Sequence, residues 1–334
     1  MDKNHAFFTS SIGEKETFDT VAKHCHDADI WKDYRTRYKK SLLCNMNDIP
    51  PYPIQIDFEL NGTCNYRCDS CTYRLDYVSI DKEQRISQET FKQIVDTGIP
   101  KGLRALRFNY HNEPLLKKDI SEYIKYAKQA GIVDTYLSTN GSLLNDEMIA
   151  SLIDSKLDRI QISIDAFTTE TYNKLRRGGD LNKVVENAKK FLLTRNKLHL
   201  ELPTLRVNFV KQEQNIHELQ DFCRFWLEEG ADSIGIQDFS EWMNERSDND
   251  YNDVDFQCAI PFNRIVIRYN GDVLPCCTFM STELVLGNIY NSSVGELWQS
   301  PLINELRQLH TTKRGWKNNV VCKKCVKSFV KPKQ

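Results

Sequence analysis

The sequence predicts an α/β protein, with six strands alternating with helices, followed by a small cysteine-rich unit. Three observations carry that prediction. Between Ile54 and Gln237, short strand-like runs alternate with amphipathic helical stretches, the pattern of a parallel sheet covered by helices. An acidic stretch poor in apolar residues then interrupts the alternation from Ser240 to Asp255. Beyond it the cysteines return in a second group, around an Asn270-Gly271 hairpin signal. At 334 residues, 40% hydrophobic and 27% charged, the chain has enough material for one large barrel and an appendage. Periodicity leaves a barrel and a doubly wound sheet both open.

Residues 1–51 are aromatic and charged by turns without a clear period, an N-terminal extension of unknown role. His24, Cys25 and His26 invite a metal reading, but a lone triplet reads as a helix surface with one buried member. Pro50-Pro51-Tyr52-Pro53 stiffens the approach to the first strand, Ile54–Leu60. Ser87 is placed to cap a helix running to Gly98. Leu103–Asn109 is the second strand, and Asp119 with Glu122 forms a capping-box-like start to a helix ending at Gly131. Val133–Ser138, Arg159–Ile164, Leu205–Val210 and Ser233–Gln237 complete the strands. Helices fall over Asn145–Ser155, Leu181–Arg195 and Ile216–Gly230. After the acidic linker, Arg264–Tyr269 and Asp272–Leu274 flank the hairpin turn, and Ser293 with Glu296 opens a helix bent at Pro301.

The formal net charge of −1 gives no global attraction to nucleic acid or anionic membrane. The first ten residues lack the apolar stretch of a secretion signal, and no run approaches the ~18 apolar residues of a membrane span. A cytoplasmic protein with no membrane or nucleic-acid partner is expected, and the basic stretch after Glu305 reads as a solvated tail. Eleven cysteines in a reducing compartment, where disulfides rarely persist, mean metal where they cluster.

They cluster twice. Cys64, Cys68 and Cys71 lie within eight residues after the first strand. Gaps of three and two residues let one loop wrap three sulfurs around a single inorganic body, leaving one metal position open for chemistry. A zinc knuckle with a distant fourth ligand remains the other reading. The second set is Cys258, Cys276, Cys277, Cys322 and Cys325. Four thiolates complete a closed cluster or a zinc site.

The C-x3-C-x2-C run resembles the signature of the radical S-adenosylmethionine (SAM) enzymes. The resemblance implies an open (β/α)6 partial TIM barrel, in which Cys64, Cys68 and Cys71 hold a 4Fe–4S cluster whose fourth iron binds SAM. It departs from the pattern at Ser70, where the family places a bulkier residue, and at His111-Asn112, where it has two glycines. It places Glu113 on the SAM ammonium, Asn140 beside the cofactor, Ser163 and Asp165 on the ribose, and Arg177 on the carboxylate. The second set resembles a SPASM/twitch extension, with Cys258, Cys276, Cys322 and Cys325 on one auxiliary 4Fe–4S cluster. Its spacing is similar to that of the 2-deoxy-scyllo-inosamine dehydrogenases. The implied division is 52–240 for the core, 241–257 for the linker and 258–334 for the auxiliary domain.

By that resemblance the enzyme cleaves SAM to a 5′-deoxyadenosyl radical and takes a hydrogen atom from its substrate. A closed auxiliary cluster suits oxidation of a sugar- or cyclitol-like alcohol, with a flavodoxin- or ferredoxin-type electron donor. The alternatives are epimerisation, with Cys277 as hydrogen donor, peptide or protein maturation, and a zinc-binding interaction protein. On an extended segment Cys277 is expected to face away from the metal that Cys276 binds.

Overall fold

The computed structural model describes residues 9–71, 84–240, 251, 254–278 and 280–330. Most of the acidic stretch read as a linker lies outside them. Among the described residues ten strands join one sheet in the order β1-β7-β6-β5-β4-β3-β2-β8-β9-β10. Six are the expected parallel strands: β2 (Gln55–Phe58), β3 (Ala105–Arg107), β4 (Asp134–Thr139), β5 (Arg159–Ser163), β6 (Thr204–Lys211) and β7 (Ser233–Asp238). β2 and β7 do not pair with each other, so the barrel is open.

The strands read as alternating rather than continuously apolar because the two faces meet different surroundings. Ile56, Phe58, Leu106, Phe108, Leu137, Ile160 and Ile162 are buried in one core with the helical Phe91, Tyr123, Ile149 and Val184. On the other face the register aligns Asp57 with Arg107 and Arg107 with Tyr136. It continues through Ser138 with Gln161, and Ser163 with Asn208. A closed barrel of this class fills its interior with branched apolar layers. Here the interior is polar.

Both flanking segments belong to this sheet, which the sequence did not indicate. β1 (Thr9–Ile12) pairs antiparallel with β7. The helices Glu14–His24 and Ala28–Ser41 then pack under the amino ends of the strands, where Tyr34, Ile54, Ala105 and Val133 share an apolar cluster. Tyr34 Oη donates to Asp134 Oδ2 at 3.0 Å, and Arg159 Nε donates to Asp134 Oδ1 at 2.9 Å. Residues 9–48 of the N-terminal extension thus close the lower end of the barrel, opposite the cysteine loop. At the other edge β8 (Arg264–Ile267) pairs parallel with β2, then turns through the expected hairpin into β9 (Asp272–Leu274) and β10 (Gly287–Asn288).

Local signals succeed where the side chain has no competing partner. Ser87, Asn145 and Ser293 cap their helices, and Ser293 and Glu296 form the full capping box. Asp119 makes no cap bond, because Lys117 Nζ holds its carboxylate at 2.9 Å. Pro301 separates two helices, Val294–Trp298 and Pro301–Thr311. Of the early triplet, His24 pairs with Glu201 at 2.5 Å while Cys25 Sγ donates to the Asp27 carbonyl.

Candidate active site

Three loops at the carboxyl ends of β2, β3 and β4 are bonded into one unit. Asn61 Nδ2 donates to the Glu113 carbonyl at 3.3 Å, and Asn112 Nδ2 donates to Asn61 Oδ1 at 3.0 Å. Asn140 Nδ2 reaches Asn65 Oδ1 at 2.8 Å, and Asn65 Nδ2 reaches Ser142 Oγ at 2.9 Å. The cysteine loop therefore rests on the Glu113 and Asn140 loops rather than hanging free. Tyr66, between the first two cysteines, is buried with its hydroxyl 3.2 Å from that of Tyr172. A Cβ on Gly179 would stand 2.6 Å from the Tyr66 ring, so only glycine fits that turn.

Cys64, Cys68 and Cys71 are electrostatic neighbours, and burial pushes the Cys64 thiol up to about 12. Buried thiolates need a compensating cation. The Tyr66 N–H already points at Cys64 Sγ, 3.4 Å away. Glu113 is 2% exposed, and its carboxylate accepts from Leu115 N at 3.1 Å, Thr139 Oγ1 at 2.5 Å and Asn140 N at 2.8 Å. Burial nevertheless raises it to about 7. Three donors leave a carboxylate one acceptor position, which suits an amino group. Ser163 ends β5 on the polar face.

Two residues from the resemblance fall differently. Asp165 has its carboxylate occupied by Arg176 and by the Val210 amide at 2.8 Å, and its φ of 64° lies in the left-handed region. These two bonds tie its carboxylate into its own loop. Arg177 is 65% exposed and pairs with Asp69 at 2.7 Å. Arg176 is the guanidinium turned inward, because the helix Thr169–Leu175 ends on it and the chain then turns through Gly178 and Gly179. Burial opposes its charge, but Asp165 and nearby Cys68 hold it above the usual arginine range. Its Nε is buried without a hydrogen-bond partner. Two adjacent arginines look alike in sequence; the end of the helix decides which one faces in.

The second thiol group also assembles. Cys258, Cys276, Cys277, Cys322 and Cys325 line one apolar pocket with His310. Cys277 sits in the bent stretch 275–278, outside any strand, and contributes to the lining of this pocket. Cys277 also feels Arg264, Asp57 and Arg107, so it lies between the pocket and the barrel interior. Among the described residues no three Cys, His, Asp or Glu side chains converge as they do around one ion. The five thiols instead line one common space. Burial pushes Cys322 up to about 12 and Cys325 to about 11. Tyr110 ties the two sites together: its hydroxyl donates to the Thr278 carbonyl at 3.0 Å and lies 2.6 Å from Ser281 Oγ. Neither Tyr110, Arg176 nor His310 carries a spacing that marks it in the sequence.

The radical SAM superfamily profile matches residues 58–196, and the SPASM iron–sulfur cluster-binding domain matches 258–326. A probable GTP 3′,8-cyclase of Methanocaldococcus jannaschii is 31% identical over 52% of this chain and 54% of its own. The chain spans about half the length of such cyclases. A tungsten-containing aldehyde ferredoxin oxidoreductase cofactor-modifying protein of Pyrococcus furiosus is 25% identical over 72% of this chain and 80% of its own. Streptococcus suis SuiB, solved with its precursor peptide SuiA, shares the fold at a TM-score of 0.64 and 17% identity. That match covers 84% of this chain and 71% of SuiB. With both domain profiles in this order over the two thiol groups, the chain is a radical SAM enzyme with a C-terminal SPASM-type domain, which uses 4Fe–4S clusters and SAM.

Proposed function

We propose that this enzyme oxidises an alcohol carbon of a small hydroxyl-rich substrate, sugar- or cyclitol-like, held inside the barrel. The polar interior carries the reading. Asp57, Arg107, Tyr136, Gln161 and Asn208 offer donors and acceptors where a filled barrel has apolar layers. Cys64, Cys68 and Cys71 would hold the SAM-binding cluster. Glu113, Asn140, Ser163 and Arg176 would orient SAM, and Cys258, Cys276, Cys322 and Cys325 would hold the auxiliary cluster. When bound, these groups would supply a 5′-deoxyadenosyl radical to take the hydrogen atom from the carbinol carbon and a cluster to take one electron, the hydroxyl proton leaving to solvent as the carbonyl forms. The residues of the interior hold and orient the hydroxyls. Reduction from outside falls to a flavodoxin- or ferredoxin-type partner in the cytoplasm. No helix among the described residues is long and apolar enough to cross a membrane.

Cys277 supports a second reading. It is half-buried, burial pushes its thiol up, and it feels the charges of Arg264, Asp57 and Arg107 on the barrel side, where an S–H bond can return hydrogen to a substrate radical. Turnover in deuterated water separates the two. Oxidation gives a ketone without carbon-bound deuterium and survives Cys277→Ala. Deuterium at an inverted carbon, lost in Cys277→Ala, would overturn the oxidation reading in favour of epimerisation.

A further inference from the structure

The auxiliary pocket holds a buried imidazole that its cysteines do not explain. His310, near the end of the helix Pro301–Thr311, is 2% exposed. Its Nδ1 accepts the backbone N–H of Cys258 at 3.2 Å. That nitrogen therefore carries no proton, and the neutral ring holds its one proton on Nε2. Nε2 lies 3.5 Å from Cys322 Sγ, within range of an N–H···S hydrogen bond. The Phe256 ring stands edge-on to the imidazole, 6.4 Å between centroids, and helps fix its plane. Leu306, Val321 and Val326 add apolar surface to the lining, in which Thr278 carries the one hydroxyl among the described residues.

We propose that His310 is a positioning residue of the auxiliary cluster, donating a hydrogen bond to the Cys322 sulfur and thereby raising that cluster's reduction potential. The proposal rests on Cys322 being a cluster ligand. Its physical basis is electrostatic. An N–H dipole aimed at a ligand sulfur stabilises the added negative charge of the reduced form more than the oxidised form. The apolar surroundings leave that dipole unscreened. A positively charged residue on the same helix acts in the same sense. Arg307 is fully buried, stacked over Trp298 at 4.0 Å, and donates from Nε to the Pro261 carbonyl at 2.9 Å. Pro261 itself lines the pocket. The role requires the local backbone to feed Nδ1, because only the tautomer with its proton on Nε2 reaches the sulfur. A more positive auxiliary cluster is a better acceptor of the electron that alcohol oxidation must release.

The test is an EPR-monitored redox titration of the reconstituted full-length holoenzyme. The Cys64→Ala/Cys68→Ala/Cys71→Ala variant identifies which signal is the auxiliary cluster. His310→Met should shift that cluster's potential negative and leave the SAM-binding cluster unmoved, and His310→Gln, which keeps an N–H donor, should restore part of the shift. An unshifted potential in His310→Met overturns the proposal. Absence of iron and sulfide from the triple-cysteine variant overturns both this proposal and the auxiliary-ligand reading beneath it. A second measurement needs no variant. Pulsed EPR of the reduced wild type carrying 15N-histidine should show a weak histidine coupling. A strong coupling, the mark of direct iron ligation, or none at all, overturns the hydrogen bond. Where His310→Met fails to retain its cluster, that coupling decides alone.

Discussion

Arg176 and Arg177 show how far a residue's neighbours in space outweigh its neighbours in sequence. One guanidinium is buried on Asp165 with a free Nε, and the other is exposed on Asp69. Arg176→Ala should weaken SAM binding by about 1.5–3 kcal/mol, the worth of a charged hydrogen bond. Arg177→Ala should cost well under 1 kcal/mol, as exposed pairs do. Equal losses by calorimetric titration would mean that both or neither reach the cofactor. Glu113 supplies a pH signature. Burial raises its carboxyl to about 7, so at lower pH it is protonated and cannot accept from an amino group. SAM affinity should rise with pH up to about 7 and then level off. Glu113→Gln should bind more weakly and lose that dependence; a wild-type affinity flat from pH 5.5 to 8 would remove Glu113 from the SAM site.

At the scale of elements, the cysteine loop is held by its neighbours more than by its own sequence. Arg67 N donates to the Arg177 carbonyl at 2.9 Å, and Tyr66 packs on Gly179. The turn after the helix Thr169–Leu175 is thus one wall of the proposed cluster site. Gly179→Ala sets a methyl group against the Tyr66 ring, and such overpacking costs about 1–3 kcal/mol. Its effect should be local: slower or incomplete iron loading at Cys64, Cys68 and Cys71, with the auxiliary site loading normally. Mössbauer quantitation of the two sites checks it, and equal losses at both would mean that the whole fold has been weakened.

At the scale of the molecule, the two proposed cluster sites hang from neighbouring strands of one sheet. β2 leads into the first cysteine loop, and β8, parallel beside it, leads through the hairpin to Cys276 and Cys277. Glu59 and Arg268, just past the ends of these strands, pair at 3.0 Å with both side chains almost wholly buried. The two sites nonetheless draw on different core clusters, the auxiliary one with its own Tyr251, Phe256, Trp316 and Val326. Replacing Cys64, Cys68 and Cys71 together should therefore leave about half of the iron bound, since two clusters of the same type contribute equally. Loss of all the iron would mean that Cys258, Cys276, Cys322 and Cys325 hold no cluster.

The sequence alone determined what short-range chemistry can encode. Thiol spacing, strand alternation, the Asn270-Gly271 turn and the Ser293–Glu296 cap each act within a few residues, and each is found in the fold. Asp119 failed as a cap for an equally local reason, a lysine two residues away. Only the tertiary structure decided which of two arginines turns inward, that Asp165 serves its own loop, and that Cys277 shares the pocket of Cys276. It alone showed that residues 9–48 close the barrel floor through Tyr34 and Asp134, residues one hundred positions apart. It alone brought His310 to Cys322, across a bend and the start of another helix. Such contacts follow from how helices end and which edge of a sheet a strand joins, and those are set by packing between distant segments, which leaves no periodicity in the chain for a reader to find.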